Sequence, residues 1–103
     1  MITIKNEEIQ YLKVDSFLPK MRVKMGFTGS NVMGYEMILK AASPLAERLA
    51  EELSAAEGKE LKMKMLNTEF VIHEYETNPV TLKVESIGEA DSLNALNSAG
   101  LKV

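Results

Sequence analysis

His73 is the only histidine in the chain, and it is the first place to look for chemistry. Its surroundings, Glu69-Phe70-Val71-Ile72-His73-Glu74-Tyr75-Glu76, carry an apolar run that predicts a strand. On a strand, Glu69, Val71, His73 and Tyr75 share a face. Glu69 and His73 are then about 13 Å apart, too far to hold one metal ion between them. The same spacing would suit zinc on a helix, and the Phe-Val-Ile run argues against one. Proton transfer by His73 would need a second group delivered by another part of the chain.

The remaining reactive side chains offer little more. Cysteine is absent, which excludes disulfides, thiol catalysis and thiolate metal sites. Thirteen of the fifteen carboxylates are glutamates, most of them in a helical segment or beside lysines, where solvated ion pairs account for them. Asp15 and Asp91 sit near a cap or turn. No paired-carboxylate arrangement stands out for acid–base work. The sequence therefore assigns no catalytic residue, no metal site and no cofactor.

Three other features bear on binding. Gly26, Gly29 and Gly34 punctuate a stretch read as a loop between a strand and a helix, where phosphate-binding loops lie. Neither fingerprint is present: no lysine followed by serine or threonine closes it, and no G-x-G pair opens it. A long glycine-rich loop suits a contact surface, and Met33, Tyr35 and Met37 beside it are the candidate partner-binding residues. Second, Lys5, Arg22, Lys24, Lys62, Lys64 and Lys83 all fall on the polar side of predicted strands. They form a candidate anion-binding face able to meet phosphate backbones. No aromatic interleaves with them, and Glu74, Glu76 and Glu85 can neutralise them across strands. Third, seven methionines in 103 residues are more than usual; they suit core gaps as well as adaptable surfaces.

The elements that would carry these residues follow from apolar spacing. Ile2 and Ile4 alternate with polar residues as in a short strand, and Met21, Val23, Met25 and Phe27 do the same. Residues 6–20 fit neither period, and Pro19 stops any helix there. Ile38, Ala41, Ala42, Leu45, Leu49 and Leu53 make one helical stripe, predicting a long helix over 35–57. Ser43-Pro44 leaves open a later start, with serine as cap and proline in the first turn. Leu61, Met63 and Met65 have opposite parity to Phe70 and Ile72, so residues 60–76 are either a hairpin or one bulged strand. Thr77-Asn78-Pro79 predicts a turn. Val80, Leu82 and Val84 make the cleanest strand, and a short C-terminal helix comes after it, with Gly100 ending it.

The expected fold is a single α+β domain over residues 1–103. An antiparallel or mixed sheet of about four or five strands would carry one long helix on one face, leaving the other face for water or a partner. A net charge of −3 is mild and does not argue for a strong polyelectrolyte partner. The first twenty residues have no long apolar run of a signal or membrane segment, so the expected location is cytoplasmic. The function expected on these grounds is a non-catalytic protein-interaction or assembly module, possible as a homodimer. The alternatives are nucleic-acid or anion binding through the basic sheet face, and a small enzyme with a site near the Gly26–Gly34 loop, Tyr35 and His73.

Overall fold

The computed structural model describes residues 1–23, 30–56, 60–87, 98, 100 and 101, with the backbone alone for 20–23 and 30–33. Six strands form one sheet: β1 (Ile2–Ile4), β2 (Leu12–Val23), β3 (Ser30–Ala41), β4 (Lys62–Met65), β5 (Thr68–Thr77) and β6 (Val80–Ile87). Their spatial order is β1-β4-β5-β6-β3-β2. β1 runs parallel to β4, and every other pairing is antiparallel. A 3-10 turn over Asn6–Tyr11 joins β1 to β2, and one 11-residue helix, α1 (Leu45–Ala55), joins β3 to β4.

One rule explains the sheet. Apolar residues at alternate positions all turn to the same side: Ile2 and Ile4, Met63 and Met65, Phe70 and Ile72, Val80, Leu82 and Val84, Tyr35, Met37 and Leu39, Leu12 and Val14. Leu45, Leu49 and Leu53, one helical turn apart, close over that side and are at most 1% exposed. Helix α1 lies against β5 and β6. Leu101 also returns to this core without joining a strand.

The expectation of a long helix on four or five strands is overturned. The chain is mostly sheet, and residues 35–41 belong to β3 instead of a helix. Two patterns overlap there. Ile38, Ala41 and Ala42 extend the helical stripe, but Tyr35, Met37 and Leu39 alternate with period two, and these three are the buried ones. Pro44 occupies the cap position, with Ser43 just outside it, and α1 starts at Leu45. Ser43 does not cap the helix backbone; its hydroxyl donates to Glu47 at 2.5 Å. The ambiguous residues 6–20 resolve into the 3-10 turn and the first part of β2. Pro19 sits inside that strand, tolerated because β2 is an edge. Residues 30–34, read as loop, are strand as well.

Residues 60–76 are a hairpin. Leu66 and Asn67 turn between β4 and β5, with Leu66 at φ 56°. A bulge lies further along β5, between Ile72 and Glu74. The sequence readings of Lys24–Gly29 and of the C-terminal helix lie outside the described residues.

Candidate functional site

The two 12-residue strands β2 and β3 outrun the sheet that they belong to. They pair with each other from Leu12↔Ala41 to Val23↔Ser30. Strand β3 pairs with β6 only from Glu36 to Lys40. Beyond Tyr35, therefore, residues 20–23 and 30–34 form a two-stranded ribbon that no third strand joins among the described residues. At about 3.3 Å per residue it reaches roughly 17 Å past the sheet, along a molecule whose longest dimension is 46 Å.

The fork has a structural cause. Where the β3–β6 register ends, the Tyr35 N–H donates to the Ser86 side-chain oxygen at 2.9 Å. Ser86 is paired with Phe70 and is small enough for the Tyr35 and Phe70 rings to meet, with centroids 5.9 Å apart. Phe17 adds a third ring, 5.1 Å from Tyr35. This aromatic row roots the ribbon in the core. Immediately outward, Gly34 has φ +149°, a conformation that side-chain-bearing residues rarely adopt. The register between β2 and β3 slips there as well, from Lys20↔Gly34 to Met21↔Val32, leaving Met33 over. A glycine kink beside a bulge bends a strand and re-aims the residues beyond it.

Charge separates ribbon from body. Between Asp15 and Glu36 the sequence holds Lys20, Arg22 and Lys24 and no acidic residue. The other nine basic residues face all fifteen acidic ones, so a chain of net charge −3 consists of a +3 segment and a −6 remainder.

The sheet face away from α1 is not the basic surface expected. Lys62, Lys64 and Lys83 do lie there, exposed, at positions that alternate with buried residues. Glutamates interrupt them: Glu69 is opposite Lys64, and Glu74 is opposite Lys83. Lys5 is not on a strand; it caps the 3-10 turn, its N–H donating to Glu8 at 3.0 Å. Arg22 is carried by the ribbon, and Lys24 lies outside the described residues. Among the described side chains, Lys5 is off the strand face that carries Lys62, Lys64 and Lys83.

Two of the three candidate partner-binding residues do not reach the surface. Tyr35 and Met37 are core residues, 2% and 1% exposed. Met33 is on β3 at the register slip.

His73 meets a partner that the sequence does not reveal. At the β5 bulge its Nε2 lies 2.6 Å from a Glu85 carboxylate oxygen on β6. Both are partly exposed, and among the described residues no group of three metal-ligating side chains forms. A histidine–carboxylate pair alone can orient a proton; it supplies neither nucleophile nor metal site.

Arg48 forms the densest polar cluster. Its guanidinium donates twice to Glu8, at 2.7 and 2.9 Å, once to Glu52 at 2.6 Å and once to the Thr3 carbonyl at 3.0 Å. Burial pushes the Glu8 carboxyl upward, but the Lys5 N–H and Arg48 outweigh it, and the group ends below its ordinary value of 4.5. Every donor in this cluster is directed at the chain itself, tying α1 to the 3-10 turn and β1. It is a clamp.

A groove of about 400 Å³ lies at the other end of the sheet from the ribbon, lined by Ile38, Glu74, Tyr75, Glu76, Thr81 and Lys83. The fold and surface thus describe a mixed sheet with one covered face, a projecting basic ribbon and an acidic groove. The chain matches no family model, no curated protein and no solved structure. Among the described residues no helix is long and apolar enough to cross a membrane.

Proposed function

We propose that this protein is a non-catalytic assembly module that makes its contacts through the β2–β3 ribbon. One observation carries the reading: among the described residues, 20–23 and 30–34 pair with each other and with no other strand of the sheet. A two-stranded ribbon is marginally stable alone in water, so a chain that builds one gains most when a partner covers it. The positive φ of Gly34 and the register slip beside it support this, because such a kink turns a strand out of line with its neighbours.

Strand addition along β2 is the less favourable mode. Its outer edge carries Pro19 and two register irregularities, between Val14 and Ser16 and between Lys20 and Met21. These devices discourage edge pairing. Contact through the ribbon itself is left. A cytoplasmic setting belongs to the same proposal.

Sedimentation of the full chain across a hundred-fold concentration range tests the reading. The expected result is a concentration-dependent species larger than the monomer, which weakens as salt is raised. Strictly monomeric behaviour at every concentration would contradict it.

A further inference from the structure

Building on that assembly reading, we infer that the partner is a second copy of this chain, whose groove beside Glu74, Glu76 and Ile38 receives the basic ribbon in a head-to-tail contact. Charge and placement carry the inference together. The ribbon segment holds Lys20 and Arg22, two residues apart on β2, in a stretch without acidic residues. Glu74 and Glu76 are two residues apart on β5, so the basic positions of β2 and the acidic positions of β5 recur at the same backbone interval, about 6.7 Å along a strand. Both glutamates are exposed, and among the described residues neither has a hydrogen-bond or ion-pair partner. Lys83 also lines the groove, opposite Glu74, and leaves its local balance at one net negative charge.

The groove has something to bury besides charge. Ile38, half-buried on β3 and opposite Lys83, shares the face of Glu74 and Glu76. An aliphatic side chain beside two carboxylates suits a strand whose sequence alternates lysine or arginine with methionine and valine, as that of residues 20–23 does.

Topology decides between self and neighbour. Strand β3 leaves the ribbon at Tyr35, meets β6 at Glu36↔Glu85, and reaches the groove only at Ile38↔Lys83 and Lys40↔Thr81. Ribbon and groove are at opposite ends of one strand, so a chain's own ribbon runs away from its own groove. A second copy can satisfy both. The two surfaces are different patches, which makes the contact heterologous: it propagates as a ring or a filament instead of closing as a two-fold dimer.

Charge exchange tests this. The variant Lys20→Glu/Arg22→Glu carries an acidic ribbon with the native groove; Glu74→Lys/Glu76→Lys carries a basic groove with the native ribbon. Circular dichroism and thermal melting establish that each is folded. Each variant alone should associate roughly ten- to a hundred-fold more weakly than the native chain, because like charges then oppose each other. An equimolar mixture should recover assembly, since each reversed surface finds its opposite on the other variant. If the groove variant assembles as well as the native chain while the ribbon variant does not, the groove inference fails and the ribbon reading stands. A native chain that never leaves the monomeric state removes both. Retention of a mixed-sequence oligonucleotide at low salt by the native chain, lost in the ribbon variant, with no self-association, would assign the ribbon to nucleic acid and overturn the inference.

Discussion

The body of the sheet and its ribbon are built from the same two strands and held by different forces. In the body, β3 lies between β2 and β6, its Tyr35, Met37 and Leu39 are buried, and α1 covers the apolar layer over β5 and β6. Past Tyr35 the strands keep their mutual ladder, and no other described strand pairs with them. A continuous hydrogen-bonded strand can therefore span a stable region and a marginal one. Stability here tracks burial and third-strand contact, and strand length alone does not confer it.

Breaking the body should have the largest effect. Phe70 is fully buried and touches the ring row at the fork, so Phe70→Ala is expected to cost about 3–5 kcal/mol in a denaturant titration. The loss should take β3 and the ribbon with it.

The Arg48 clamp comes next. Arg48→Met leaves the Glu8 carboxylate facing fewer donors and frees α1 from β1 and the 3-10 turn. Because the guanidinium is about one-third exposed, we expect a loss of about 1–2 kcal/mol near neutral pH. The pH dependence has a definite sign. Glu8 is more acidic folded than unfolded, so its contribution is complete above its ordinary value of 4.5 and is lost as pH falls through the lowered folded value. The gap between native and R48M stability should thus narrow on acidification; a gap unchanged down to full protonation would show that Glu8 is not part of the clamp.

Gly34→Ala sharpens the contrast directly. A side chain at φ +149° costs about 1–3 kcal/mol where the backbone cannot relax. The ribbon can give way without the body, so the global midpoint should move little while assembly falls. A midpoint shift as large as that of F70A would mean that the two regions unfold as one. The smallest effect is expected from Leu18→Ser on the outer strand. Leu18 is 59% exposed, and its replacement should stay within about 0.5 kcal/mol.

Several body elements are legible in the sequence because one period dominates. Val80, Leu82 and Val84, the Leu45/Leu49/Leu53 stripe, and the parity change between Met65 and Phe70 each lead to the element observed. Residues 35–42 mislead because Ile38, Ala41 and Ala42 lie in phase with the real helix beyond them. Only tertiary packing decides that Tyr35, Met37 and Leu39 turn inward. The lysines mislead for a related reason: alternation places them on the outer face but does not say that glutamates of neighbouring strands fall opposite. The ribbon itself left a signal in the acid-free stretch between Asp15 and Glu36. Its fork left none, because it depends on Ser86, fifty-one residues from Tyr35, intercepting a backbone N–H.

Backbone hydrogen exchange on the dilute monomer probes the independence of the ribbon most directly. Amides of residues 20–23 and 30–34 should exchange roughly a hundred-fold or more faster than those of Met37, Leu39, Ile72 and Leu82, and should slow when the protein is concentrated. Uniformly slow exchange across β2 and β3, at the rate of the body and unaffected by concentration, would show that the ribbon stands without a partner and would contradict the account.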